Sequence, residues 1–279
     1  MHPFAITTDS GADLPQSYCE AHEILVLPLP VTMNGEVYET MDVKEFYRQL
    51  RAGAMPTTSA ANLEDTCQLF RQVLSTGSDL LHIAFSSGLS SSCDTAFLAA
   101  KEMETEFPDR KILVVDSLSA GPEIALLIEK ALSEQSSGAG FDEVCENLKA
   151  YQRRTHLLFA LESMHNLAQN GRISRLTATM AGVLGIRAAG QASAEGTLEM
   201  LGKCRGGRKT QHFMLCEMER LGYGGGSVRI GHCQNEAFAQ ELCTEIRQRF
   251  PAADVRCDPL RGLCSYYAER GGIMLGFET

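Results

Sequence analysis

Apolar runs alternate with helical patterns through the first half of the chain. "FAITTDS" is a short apolar run that ends in small polar residues, and "ILVLPLPV" (24–31) is a second. Pro28 and Pro30 mark the second as an edge or a strand end, because proline cannot donate to a ladder. "LLHIAFSS" and "KILVVDS" are continuous apolar runs, the pattern of strands covered on both faces. Between them, residues 62–75 carry Leu63, Cys67, Phe70 and Leu74 at helical spacing, and 91–106 continues as a helix. A helix is expected from Pro122, where proline suits the first turn and Glu123 complements the dipole. Another is expected over 142–154, with Val144, Cys145, Leu148 and Tyr151 on one face. Strands alternating with helices predict a parallel sheet.

The second half reads differently. "HLLFALES", from His156, is a strand, followed by a short helix to Gly171. "GVLGIRAAG" and "GTLEMLGKC" form a pair around a polar turn, as in a long hairpin. A helix over 209–221, the strand "GSVRIGHC", the helix "EAFAQELCTEIRQRF", and the strands "ADVRCDPL" and "GIMLGF" complete the chain. The expected fold is α/β. Residues 1–154 form a parallel-sheet domain flanked by helices. Residues 155–279 form a second α/β domain with a mixed or antiparallel sheet, and the ligand lies between the two.

Composition narrows the function. The formal net charge of -10 over 279 residues argues against nucleic acid, which selects a basic face. No apolar stretch approaches the roughly 18 residues of a membrane span. The opening "MHPFAITTDS" lacks the basic start and apolar core of a signal peptide, so a cytoplasmic location is expected. Ten cysteines then stay reduced, most as small buried hydrophobes. There is no C-x-x-C, and His232-Cys233 alone is a poor metal set, so neither metal nor cofactor is expected.

Three strands end in small polar residues: Thr8, Asp9 and Ser10; Ser86 and Ser87; Asp116, Ser117 and Ser119. In an open parallel sheet, ligands bind beyond the carboxyl ends of the strands. "MPTTSAAN" adds Thr57, Thr58 and Ser59 before a helix that Asn62 would cap, with Asp65 three residues on. The ordinary reading of Ser10, Ser117 and Asn62 is that each caps a helix. "SSGLSSS" (86–92) holds five serines where a cap needs one. Helix N-termini and hydroxyls suit a carboxylate or a phosphate. The cluster is neither a P-loop nor a G-x-S-x-G elbow. Basic residues follow in "QNGRISR" and "GKCRGGRKT": Arg172, Arg175, Lys203, Arg205, Arg208 and Lys209. Arg205, in a glycine-flanked turn, could close over the anion from the other domain.

The order of "TDSGADLP", "TSAAN", "SSGLSSS", "VVDSLSAG", "NGRIS" and "GKCRGGRK" resembles the DegV family across nearly the whole chain. The resemblance implies a long-chain fatty acid bound between two α/β domains, with no chemistry of the protein's own. It also implies service as the acyl-binding subunit of a fatty acid kinase, for phospholipid synthesis. By resemblance, Thr58, Ser90 and Arg205 hold the carboxylate. Ser10, Ser59, Ser91, Ser117, Arg172 and Tyr266 are expected to line the site, and Ser174 belongs to the "GRIS" match. The sequence departs from the family pattern near its C-terminus. There "CSYYAERGGIMLGF" has neither the histidine nor the proline of a His-x-Gly-Pro-Gly turn, and Tyr266 or Tyr267 is expected in that space. Two alternatives use the same cluster. One is a serine hydrolase of acyl esters with Ser90 as nucleophile, which requires a base within reach. The other is a binder of sugar phosphates.

Overall fold

The computed structural model describes residues 4–33, 35–38, 45, 48, 49, 52, 54, 56–173 and 185–279. The continuous apolar runs of the first half pair as one parallel sheet. Its strands are β1 (Phe4–Asp9), β2 (Leu25–Leu27), β6 (Asp79–Ala84) and β7 (Ile112–Asp116), in the order β2-β1-β6-β7. The helices α2 (Leu63–Leu74) and α3 (Ser92–Glu106) pack together over β6 and β7. Their apolar stripes bury Phe70, Leu74, Cys93, Ala96 and Met103 against that face. Asn62 caps α2 as expected, accepting from Asp65 N at 2.8 Å.

The second sheet takes β8 (Thr155–Leu161), β9 (Ile186–Ala192), β10 (Leu198–Arg205), β11 (Ser227–His232), β12 (Asp254–Pro259) and β13 (Ile273–Glu278). Its order is β10-β9-β8-β13-β11-β12. It is antiparallel except for the parallel pair β11–β12, so the sheet is mixed. β9 and β10 form the expected hairpin; the residues of "GVLGIRAAG" before Gly185 lie outside the described set. The helices α7 (Gly207–Arg220) and α8 (Glu236–Arg249) cover the outer face, where Met214, Met218, Leu242 and Ile246 meet Leu158, Val228 and Ile230. α4 (Pro122–Ser136) packs against strands of both sheets, and α5 (Phe141–Gln152) packs on α4 before the chain enters β8. The inward residues of β8, Leu157, Phe159 and Leu161, share one core with Ile83, Phe85 and Ala120 from the first half.

Three expectations need correction. The run 24–31 is not one strand. It breaks at Pro28 and Pro30 into β2 and β3 (Val31–Met33), and β3 joins β4 (Glu36–Tyr38) and β5 (Thr57–Thr58) in a small antiparallel sheet. Ser10 does not cap a helix; it sits in a short 3-10 turn and its hydroxyl accepts from Leu29 N at 2.9 Å. Ser117 does not cap one either. Its hydroxyl bonds the backbone of Ser119, and α4 starts after Gly121 with no side-chain cap. The short helices α1 (Gln16–Ala21), α6 (His165–Gln169) and α9 (Gly262–Ala268) finish the described elements. None of the ten cysteines forms a disulfide among the described residues, and eight are buried. Among the described residues, no helix is long and apolar enough to cross a membrane.

Candidate ligand-binding site

A cavity of about 720 Å³, counting its opening, lies between the two sheets. Leu157, Phe159 and Leu161 of β8 and Met274 of β13 form one wall. Leu29, Phe85 and Ala120, which follow β2, β6 and β7, form the other. Among the described residues, the polar lining consists of Thr58, Ser59, Ser90, Arg172 and Tyr267.

These polar groups are linked to one another. Thr58 is half-buried at the end of β5, whose pairing to β3 (Val31 opposite Thr58) sets its position. Its Oγ1 lies 2.7 Å from the Tyr267 hydroxyl. The neighbouring Tyr266 is buried and donates its hydroxyl to Pro56 O at 3.0 Å. Two consecutive tyrosines of α9 therefore grip both ends of the "PTT" segment. The Ser59 N–H is held by Pro30 O at 3.1 Å. Ala61 N–H donates to Ser92 Oγ at 3.2 Å, which joins this segment to the serine cluster. Arg172 reaches across from the second unit, donating from Nε to Leu89 O at 3.1 Å and from Nη1 to Asn170 O at 2.5 Å. Its Nη2 has no partner among the described residues.

The five serines have separate jobs. Ser86 is buried and donates to Gly196 O, in the turn of the β9–β10 hairpin, at 2.7 Å. Ser87 is exposed, and its N–H is held by Asp116 at 3.2 Å. Ser90 lines the cavity while its Oγ accepts from Ser92 N at 3.2 Å and lies 2.9 Å from Ser92 Oγ. Ser91 stands at the N-cap of α3 without a side-chain cap bond and is exposed. Ser92 is buried.

Of the residues expected at the site, Thr58, Ser59, Ser90 and Arg172 line the cavity together. Ser10 acts one step back, by holding the backbone of Leu29, a wall residue. Ser91, Ser117 and Tyr266 are outside the lining; of the two tyrosines expected near the head group, Tyr267 is the one that lines the cavity. Arg205 is exposed at the end of β10, outside the lining. Ser174 lies outside the described residues. The sequence signal for Tyr267 is the "YY" pair itself, whose phase on α9 only packing decides. Ser92, one of the five serines of the cluster, joins the two loops through its hydroxyl.

Neither His82 nor His232 hydrogen-bonds Ser90. His82 is buried on the parallel sheet, with Nδ1 2.9 Å from Thr7 Oγ1, and burial lowers its pKa to about 3. His232 Nδ1 accepts from Asn235 N at 3.4 Å. The carboxylates at the strand ends do structural work. Asp9 accepts from Gly11 N at 2.9 Å and from Phe85 N at 2.7 Å, fixing the Phe85 wall. Burial raises its pKa to about 7, against the effect of those two bonds.

Glu123 lies beyond the far end of β8. It is buried, accepts from Ser119 Oγ, and accepts from Thr155 Oγ1 at 2.7 Å. Burial raises its pKa to about 7, opposed by the two hydroxyls. A carboxyl raised on folding contributes stability that is complete below its unfolded pKa, near 4.5, and is lost as pH rises through about 7. Glu123→Gln keeps one acceptor and adds a donor for the hydroxyls. Urea unfolding should show it losing less stability than wild type between pH 5 and pH 8, by on the order of 3 kcal/mol. Parallel pH profiles would refute the assignment.

Fold and site together define a two-domain α/β protein with an apolar cavity between its sheets and hydroxyls gathered on part of the lining. The chain belongs to the DegV family: a family model described as "Uncharacterised protein, DegV family" matches residues 3–278. It is 37% identical over 278 residues to a DegV domain-containing protein of Streptococcus pneumoniae, covering 98% of both chains. Its fold superposes with TM-score 0.92 on a DegV family protein of Eubacterium eligens loaded with heptadecanoic acid, at 32% identity and 99% coverage of both. It superposes with TM-score 0.90 on the fatty acid kinase (Fak) B3 protein of Streptococcus pneumoniae loaded with linoleic acid, at 35% identity and 99% coverage of both.

Proposed function

We propose that this protein binds a long-chain fatty acid in the cavity between its sheets, with the carboxylate at Thr58, Ser90 and Arg172. The observation that carries this reading is the division of one cavity into apolar walls and a connected hydroxyl cluster. Each buried methylene contributes about 0.8 kcal/mol, so the tail dominates affinity and the hydroxyls set its direction. The similarity to proteins crystallised with heptadecanoic and linoleic acids supports it. On this reading the protein is a carrier with no catalysis of its own. It presents the carboxylate to a fatty acid kinase for conversion to an acyl phosphate, and Arg205 adds charge near the head group. The unit boundary falls at 154/155, where α5 gives way to β8. Hydrolysis of esters gains no support from Ser90, whose hydroxyl faces Ser92.

Lipid extracted from the purified protein should contain fatty acid by mass spectrometry. A protein free of lipid that also ignores added fatty acid would end the proposal. Thr58→Val with Ser90→Ala should weaken fatty acid binding by about 2 kcal/mol, roughly 30-fold, through the lost hydrogen bonds to a charged group. Binding of the matching long-chain alcohol should fall less. Equal losses for acid and alcohol would remove the carboxylate from this end of the cavity.

A further inference from the structure

We infer that Cys243 and Cys257 form a thiol pair that hydrogen peroxide oxidises to an intramolecular disulfide. The site stands apart from the cavity and does not rest on the carrier reading.

The two residues meet where α8 packs on β12. Cys243 lies on the inward stripe of α8 with Ala239, Leu242 and Ile246, and is only 1% exposed. Side chains alternate along a strand, so Val255 and Cys257 share the face of β12 that α8 covers. Val255 belongs to the core that contains Cys243, and Cys257 packs against that core. The two thiols are hydrogen-bonded to each other. Arg247, one helical turn beyond Cys243, donates to Val255 O at 2.6 Å and holds helix and strand in register. Cys257 is opposite Ile230 on β11, whose side chain packs under α7 and α8. Opposite residues share a face of the sheet, so the pair stands on the side away from the cavity.

Other buried thiols meet different partners. Cys67 donates to Glu102 at 3.3 Å, and Cys264 donates to Gly11 O at 3.5 Å. Burial pushes up the thiols of Cys19, Cys93, Cys145 and Cys204. At Cys243 the hydrogen bond from Cys257 outweighs burial, with Arg247 acting in the same direction, and this thiol ionises more readily than an ordinary one. The same bond pushes Cys257 up, joined by burial and by Asp258 and Glu236. The roles are therefore divided: Cys243 supplies the thiolate, which is the nucleophile, and Cys257 keeps its proton.

Access fits a small oxidant. Cys257 is half-buried on β12, the terminal strand of its sheet, so solvent approaches the pair from the edge. Hydrogen peroxide is little larger than water, whereas burial closes Cys243 to bulky disulfides.

The chemistry balances within the pair. The Cys243 thiolate attacks one peroxide oxygen, the O–O bond breaks, hydroxide leaves, and Cys243 becomes a sulfenic acid. The Cys257 sulfur then attacks the sulfenic sulfur. An S–S bond forms, the S–O bond breaks, and the departing oxygen takes the Cys257 proton and leaves as water. The two sulfurs lose two electrons and the peroxide oxygens gain them. Sulfurs already in contact need only close to about 2.0 Å. The crosslink fastens an edge strand, the element of a sheet most open to wrong pairing, to the helix above it.

The test treats reduced, folded, full-length protein with a severalfold excess of hydrogen peroxide, then alkylates the remaining thiols during unfolding. Wild type should lose two alkylation sites and two hydrogens of mass, with one peptide pair joined through Cys243 and Cys257, and dithiothreitol should reverse both. Cys257→Ser should stop at the sulfenic acid, which dimedone captures on Cys243. Cys243→Ala should slow oxidation at Cys257 roughly tenfold or more, because burial still disfavours its thiolate. The wild-type peptide map decides the matter even where a variant folds poorly. Sulfinic acid at Cys243 without a crosslink, a disulfide between other cysteines in its place, or both thiols intact while the rest oxidise would overturn the proposal. Extracted fatty acid should be equal in the reduced and oxidised forms; an empty protein bears on the carrier reading alone.

Discussion

A Leu157→Trp variant should lose roughly 150-fold in affinity for heptadecanoic acid while remaining folded. Leu157, Phe159 and Leu161 face the cavity from alternate positions of β8. Leu161 precedes the loop and helix that lead to Arg172. Leu157 lies four residues back, about 13 Å along the strand, next to the Thr155–Glu123 cluster. A tail that starts at Thr58 and Ser90 must run toward Leu157. An indole there would displace about four methylenes, each worth about 0.8 kcal/mol, for a total near 3 kcal/mol. Decanoic acid, whose tail stops short, should bind the variant nearly as well as wild type. Titration calorimetry with both acids reads the contrast, and a thermal melt confirms the fold. Unchanged affinity for heptadecanoic acid would mean that the tail does not reach Leu157.

The second large effect is expected at Gly196, in the turn of the β9–β10 hairpin. Its backbone has φ +73, and a Cβ there would lie 2.2 Å from Ser86 Oγ and 2.9 Å from Leu118 Cα. Gly88 meets the same turn from the other side: a Cβ on it would lie 2.7 Å from Glu195 O. The hairpin tip and the "SSG" loop thus approach backbone to backbone, tied by Ser86 Oγ to Gly196 O at 2.7 Å. Gly196→Val combines a β-branched residue in the left-handed region with loss of that bond, at a cost on the order of 3 kcal/mol. Urea unfolding should show the loss. Fatty acid should exchange faster from the variant, because Leu198, beside this turn, lines the cavity. Ser86→Ala removes only the hydrogen bond and should cost about 1 kcal/mol. If Gly196→Val is as stable as Ser86→Ala, the close approach is unimportant.

Much of the architecture was legible in the chain. Continuous apolar runs identified β1, β6 and β7 because a parallel sheet buries both faces of a strand. Helical spacing located α2, α3, α4, α5, α7 and α8, and the Asn62 cap was readable because capping is a local interaction. The small sheet was not readable. β5 is only two residues long, and it exists because β3 lies beside it. The helix α9 carries two tyrosines whose separate roles depend on Pro56 and Thr58, some 210 residues earlier in the chain.

The serine cluster shows the same division. Its composition announced a polar corner at the end of a strand, and the motif order announced the family. Which hydroxyl faces the cavity, which holds the hairpin and which joins the loops depended on partners distant in sequence: Gly196 for Ser86, Ala61 for Ser92, and Leu89 with Arg172 beside Ser90. Local periodicity and capping are written into neighbouring residues, so the sequence by itself determined the longer elements and the class of the two main sheets. Cavity walls form where two sheets meet across a shared core, so only the tertiary structure decided that Tyr267 rather than Tyr266 lines the cavity and that Arg205 lies beyond its lining.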